Sequence, residues 1–261
     1  MSVSARASGS GRLAVRDLAK HYGGVQALRG VTLHVDAGEA LGLVGDNGAG
    51  KSTLLKILSG AAFPSSGEVL LDGQPAHFDS PAAARDAGIA TVYQDLALAG
   101  QRDVVANFFL GREKLAGNWL ARRIGWLDGK AMAAHTVSEL ARLRTRIPDV
   151  HQASRDLSGG QRQALAIARA AAWTSKVLLL DEPTSALGVA QQQQVLDLIR
   201  RVRDEGIAVL LVSHQMPDVL RVCDRAIVLR LGVVAATLSG NELTSENLIG
   251  YITGAMAGGD R

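Results

Sequence analysis

Apolar residues along this chain follow two patterns. Val31, Leu33 and Val35 alternate with Thr32 and His34, the period of a half-buried strand, and the alternation stops at Asp36-Ala37-Gly38. Glu68–Leu71 followed by Asp72-Gly73 predicts one arm of an antiparallel hairpin. Elsewhere the apolar runs are continuous, as in Ala40–Val44, Val177–Leu180, Ala208–Val212 and Ala226–Leu229. Such runs suit parallel strands covered by helices on both faces. Val195, Leu198, Ile199 and Val202 recur at helical spacing between two of them. The alternation predicts an α/β fold with a parallel sheet, preceded by antiparallel β structure.

The middle of the chain, from about Leu96 to Asp156, has little strand pattern, many arginines and two of the tryptophans, Trp119 and Trp126. It reads as a mostly helical insertion. Its basic cluster (Arg122, Arg123, Arg142, Arg144, Arg146) reads as a solvated helix face, because no aromatic side chains interleave with it as in a nucleic-acid stacking platform. A net charge of +3 adds no push toward nucleic acid. Residues 1–11 are polar and Gly/Ser-rich, without the apolar core of a signal peptide, and read as a disordered tail. No apolar run approaches the roughly 20 residues of a membrane span, so any membrane role is borrowed from a partner. Cys223 is the only cysteine, which excludes an intrachain disulfide and favours a reducing compartment. Its neighbour Asp224 and an apolar helix face should keep the thiol protonated and inert.

Chemistry concentrates where the continuous runs end. After Ala40–Val44 comes Gly45-Asp46-Asn47-Gly48-Ala49-Gly50-Lys51-Ser52-Thr53, and then a helical stretch from Leu54. Strand, glycine loop and helix is the context that gives G-x-x-x-x-G-K-[ST] its meaning as a phosphate-binding loop. Glycines let successive N–H groups turn inward, and the helix start adds its positive dipole end. Lys51 can reach the β- and γ-phosphates and Ser52 can ligate Mg²⁺. Val177–Leu180 runs into Asp181-Glu182, which places one carboxylate to hold Mg²⁺ and a second to orient or deprotonate water. Leu157-Ser158-Gly159-Gly160-Gln161 opens another helix, Arg162 to Ala172, with Ser158 as its N-cap and a second anion site at its start.

GDNGAGKST, LSGGQ and LLLDEP, in that order, resemble the nucleotide-binding subunit of ATP-binding cassette (ABC) transporters, over about Arg12 to Thr253. The resemblance implies a P-loop ATPase core with a parallel sheet, an N-terminal antiparallel β subdomain and an inserted α-helical subdomain at about 96–156. It makes 12–253 a single nucleotide-binding domain and 254–261 a tail. It implies ATP and Mg²⁺ as ligands, and a pair of subunits in which each ATP lies between the loop of one copy and the Ser158-Gly159-Gly160-Gln161 of the other. Residue by residue it implies that Tyr22 stacks on adenine, that Gln94 contacts Mg²⁺ and leads into the helical subdomain, and that His214 contacts the γ-phosphate. One departure stands out: the family usually reads S-A-L-D after the proline, and this chain has Ser185-Ala186-Leu187-Gly188.

Val92–Leu98, Asp103–Asn107, Leu110–Glu113 and Ser185–Gln191 narrow the resemblance to the ATPases of bacterial monosaccharide importers of the ribose, xylose and fructose type. That branch implies transmembrane permease subunits as partners, a periplasmic or extracellular sugar-binding protein as an indirect one, and a peripheral place on the cytoplasmic face of the inner membrane. The alternatives are an importer ATPase for another solute, a soluble cassette ATPase of DNA repair, translation or iron–sulfur assembly, and a nucleotide-gated switch without turnover. Long coiled-coil insertions and paired cassettes, which mark the repair and translation types, are absent from this sequence. Glu182 and His214 argue against the switch.

Overall fold

A computed structural model describes residues 11–117 and 123–256. Two sheets share one chain. The first is antiparallel, in the order β2-β1-β4-β5, built from β1 (Leu13–Tyr22), β2 (Val25–Val35), β4 (Ser66–Leu71) and β5 (Gln74–Ala76). Its β4–β5 turn is the predicted Asp72-Gly73, and Leu71 pairs with Gln74 across it. The second sheet has the order β10-β9-β3-β8-β7-β6. Its strands β3 (Ala40–Val44), β6 (Ile89–Val92), β7 (Val177–Asp181), β8 (Ala208–Val212) and β9 (Arg225–Arg230) pair in parallel, and β10 (Val233–Ser239) closes one edge antiparallel to β9.

The continuous apolar runs are explained by cores on both faces. Leu41, Leu43, Val177, Leu179, Leu210 and Ile227 point into one core, shared with α1 (Lys51–Leu58) and the antiparallel sheet. Val44, Leu178, Leu180, Val209, Leu211 and Val228 point into the other. There they meet α3 (Val104–Phe108), α4 (Gly129–Arg142), α5 (Gly159–Trp173) and α6 (Val189–Asp204). On α6 the predicted stripe Val195, Leu198, Ile199 and Val202 is fully buried. Smaller helices α2 (Pro81–Asp86), α7 (Met216–Val222) and α8 (Ser245–Thr253) complete the layers.

The insertion is less uniformly helical than its sequence suggests. Alongside α3 and α4 it holds two isolated antiparallel bridges, Asp103↔Ala153 and Leu115↔Leu127. Phe108, Phe109, His135 and Trp173 pack ring against ring at its junction with α5, with centroids 5.4–6.3 Å apart. Trp119 and Arg122 lie outside the described residues, as do positions 1–10 of the expected tail. Gly11, placed in that tail by its composition, is instead buried; a side chain there would start 2.9 Å from the Val35 carbonyl oxygen. At the other end the chain is folded as far as Met256, whose N–H donates to the Gly250 carbonyl at 3.0 Å.

A methyl group on Gly42 would come within 2.7 Å of Val219 Cγ1 and 3.3 Å of Cys223 Sγ, so α7 lies tight on β3 and seals the thiol. Burial first, and the Asp224 carboxylate second, raise the Cys223 pKa far above the ordinary thiol range. A raised folded-state pKa means that this group's stabilising contribution is full below about pH 8.5 and declines as pH rises further. The folded protein should therefore leave Cys223 unmodified by a thiol reagent at pH 8 and react with one equivalent once unfolded in urea. Rapid labelling of the folded chain would contradict the packing.

Candidate functional site

The phosphate loop leaves β3 at Gly45 (φ +152°), where a side-chain carbon would sit 2.2 Å from the Leu229 carbonyl oxygen, so only glycine fits. It ends at Gly50 (φ +108°), the N-cap of α1, against the Ala27 carbonyl. Between them Ala49 is buried and Asp46, Asn47 and Gly48 are exposed, with the Asn47 N–H donating to Asp46 Oδ1 at 2.7 Å. Lys51 Nζ curls back to donate to the Gly45 and Asp46 carbonyls at 2.8 and 3.0 Å. Ser52, exposed, and Thr53, half-buried, follow in the first turn.

Two neighbouring strands bring in the acids and the histidine. Asp181 ends β7 level with Val212 of β8. The Glu182 N–H donates to the Val212 carbonyl at 2.9 Å. Glu182 is held at φ +51°, a left-handed conformation unusual outside glycine. Its carboxylate is 16% exposed and stands 2.6 Å from Nδ1 of His214, which is 63% exposed. Glu182 Oε2 is buried and meets no donor at hydrogen-bonding angle. Burial lowers the Lys51 pKa, opposed by Glu182, Asp46 and Asp181; burial and then Glu182 raise that of Asp181, opposed by Lys51. Gln94 is exposed two residues beyond the Val92↔Leu180 pair, at the same end of the sheet.

Ser158 caps α5 in a reciprocal box: its Oγ accepts from the Gln161 N–H at 3.2 Å, and its N–H donates to Gln161 Oε1 at 2.8 Å. The helix starts at Gly159, three residues before the predicted Arg162. Gly160 packs on α6, where a methyl would fall 2.9 Å from Gln191 Cβ. Among the described residues no hydrogen bond ties this turn to the phosphate loop. Tyr22 ends β1 48% exposed, with Lys20 Nζ 4.9 Å from its ring centre.

The sequence reading missed a second network. Gln192 Nε2 donates to the Thr184 carbonyl at 3.4 Å and to Gln215 Oε1 at 3.2 Å, and the Thr184 hydroxyl donates to buried Asp218. These bonds tie the loop after Glu182 to the loop that carries His214. The available signal is weak, because Gln192 is one of four consecutive glutamines, Gln191 to Gln194.

Lys51 beside exposed loop N–H groups can hold a polyphosphate, and Glu182 can present a carboxylate to water beside it. Ser52, Gln94 and Asp181 offer hydroxyl, amide and carboxylate oxygens, hard donors that fit Mg²⁺ completed by phosphate and water oxygens. Among the described residues no three of His, Cys, Asp and Glu gather as a self-sufficient metal cage.

A family model described as ABC transporter matches residues 28–185. The chain is 44% identical to the fructose import ATP-binding protein FrcA of Rhizobium meliloti, covering 93% of this chain and 94% of that one. It is 40% identical to the xylose/arabinose import ATP-binding protein XylG of Sulfolobus acidocaldarius, covering 94% and 95%. A solved dimeric ATP-binding cassette in a post-hydrolysis state, bound to ADP and Pi, superposes with a TM-score of 0.70 at 26% identity, covering 87% of this chain and 98% of the other.

The left-handed backbone at Glu182 has a measurable cost. Replaced by glycine, the position should be about 1 kcal/mol more stable toward urea than when replaced by alanine, because alanine keeps the strain and glycine does not. An alanine variant as stable as the glycine one would mean that Glu182 is unstrained.

Proposed function

This chain belongs to the ABC transporter family, and from that premise we propose that it hydrolyses ATP to power a membrane importer of a monosaccharide. The observation that carries the mechanism is the Glu182–His214 contact at 2.6 Å, at the same strand ends as Lys51. In this reading the loop 45–53 wraps the phosphates, Lys51 exchanges its two carbonyl partners for β- and γ-phosphate oxygens, and Tyr22 stacks on adenine. Ser52, Gln94 and Asp181 would hold Mg²⁺, which when bound neutralises charge on the phosphates. Glu182 takes a proton from the attacking water as it approaches the γ-phosphorus, and the bond from that phosphorus to the β–γ bridging oxygen breaks to release ADP and phosphate. His214 stands beside that carboxylate and offers its other ring nitrogen to the γ-phosphate.

The Ser158 turn serves a second copy of the chain in this reading. A capped helix start with two adjoining glycines and no bond to its own phosphate loop suits an anion held by another subunit, and the dimeric cassette similar to this chain supports the pairing. The permease would dock on a groove of about 310 Å³ between the insertion and the sheet, lined by Tyr93, Phe108, Leu110, Arg112, Arg169 and Trp173. Among the described residues no helix is long and apolar enough to cross a membrane, so the permease would also supply attachment to the cytoplasmic face of the inner membrane. A sugar-binding protein would act through that permease, without touching this chain.

Lys51→Ala should abolish hydrolysis and weaken ATP binding, since the phosphates lose their main cation; an unchanged steady-state ATPase rate would remove the site. Glu182→Gln keeps size and hydrogen-bonding reach but removes the base. Hydrolysis should fall by roughly 10²–10⁴ with ATP affinity near wild type, and an ATP-dependent dimer should accumulate. Adding Ser158→Arg should dissolve that dimer without removing ATP from the monomer. Light scattering with and without MgATP reads both steps. A Glu182→Gln protein that stays monomeric at saturating ATP would overturn the shared site.

A further inference from the structure

A cavity of about 260 Å³ lies behind the Ser158 turn, walled by Gln161 on α5, Gln194, Asp197 and Arg201 on α6, and Arg144 and Arg146 in the turn after α4. Its charge is lopsided. Arg144 and Arg146 are exposed at its rim, and among the described residues neither has an ion pair or side-chain hydrogen bond, whereas nearby Arg142 is paired with Glu139 and Glu205. Arg201 Nε donates to the Leu143 carbonyl at 2.8 Å, which pins its guanidinium beside the same turn and leaves its two terminal nitrogens for other partners. The one acid in the wall, Asp197, already faces Arg221 at 3.2 Å and Arg200 at 3.9 Å.

Arg144 also breaks a local backbone preference. It stands at φ +51°, one residue past Leu143, the C-cap of α4. Its N–H donates to the Ala141 carbonyl at 3.0 Å and the Thr145 N–H to the Leu140 carbonyl at 2.8 Å, the closing bonds of a helix end that glycine normally supplies. Backbone and residue type disagree here, and such disagreements gather at functional positions.

We propose that this cavity is a binding site for a small molecule carrying two phosphate groups, held by Arg144, Arg146 and Arg201. Guanidinium groups match phosphate oxygens two at a time, and three of them around one space suit a polyanion better than a single charge. Gln161 spends its Oε1 on the Ser158 N–H, so its Nε2 remains as a further donor. An occupant would clamp the insertion to α6 and restrain the turn that Ser158 caps. Binding there goes beyond the ATPase reading and does not depend on it.

The test uses the full chain with one equivalent of MgADP, which fills the phosphate loop and leaves little free diphosphate to compete for the cavity. Fructose 1,6-bisphosphate is titrated by calorimetry at constant ionic strength, beside inorganic phosphate and a poly-glutamate peptide. The bisphosphate should bind one to one without displacing ADP. Arg146→Gln and Arg144→Gly should each weaken it about tenfold, the effect of losing one charged hydrogen-bonding group. Arg144→Gly should melt no lower than wild type, because glycine suits the turn, and ADP affinity should be unchanged in both variants. The proposal is overturned by no binding at millimolar bisphosphate, by equal affinity in the variants, or by displacement of ADP. Tighter binding of inorganic phosphate or of poly-glutamate would overturn it as well.

Discussion

Parallel pairing of β3, β8 and β7 is the constraint on which the site depends. Val212 of β8 is level with Leu43 on one side and Asp181 on the other. The ladder continues one step into the loops, through Glu182 N–H to the Val212 carbonyl at 2.9 Å and Ser213 N–H to the Leu43 carbonyl at 3.4 Å. A slip of one residue would turn Asp181 to the opposite face and part Glu182 from His214. Hydrophobicity alone cannot prevent that slip, because both faces of this sheet are buried and apolar. Specific fits do so instead. Gly45 meets the Leu229 carbonyl where no side chain has room. At the far end the Ala40 N–H donates to Asp224 at 2.9 Å, and Arg225 pairs with Glu39 at 3.3 Å.

The same register crowds charge. Asp181 and Glu182 are adjacent, Asp46 is near, and Lys51 is their shared cation. Burial disfavours the charged form of both Lys51 and Asp181, so the site is electrostatically unsettled when nothing fills it. A phosphate chain alone would satisfy Lys51 and aggravate the acids. A phosphate chain arriving with a divalent cation would suit both, which is the form in which cellular ATP travels. The left-handed Glu182 adds conformational strain at the same point. Stability is given up where binding and chemistry can use it.

Legibility followed the range of each interaction. The doubly buried strands were plain because apolar runs of four or five residues, each ending at glycine or a polar residue, suit strands covered on both faces. The phosphate loop and the Ser158 cap were plain because their bonds close within a few residues, so spacing carries the geometry. Gly11 was misread because its burial depends on Val35, a strand partner that composition does not reveal. The bridges at Asp103↔Ala153 and Leu115↔Leu127 join stretches without strand pattern. Arg144 is exposed, as a solvated face requires, but it lies past the helix end at the rim of a cavity. Gln192 acts through partners 8 and 23 positions away in sequence, which helical periodicity cannot foretell.

Gly188 gains meaning from that last residue. As the N-cap of α6 it supplies no side-chain oxygen, so the helix start rests on its carbonyl, which accepts from the Gln191 and Gln192 N–H groups at 2.9 Å each. An aspartate at 188 would cap this end of the helix with its carboxylate. From the loop after Glu182 hydrogen bonds run inward: Thr184 to Asp218, and Gln192 to both Thr184 and Gln215. Gln215 is in turn fixed by its N–H donating to Ser213 Oγ at 3.0 Å, one residue from His214. The departure from the family pattern therefore does not leave the loops of Glu182 and His214 loose, because hydrogen bonds within the chain join them.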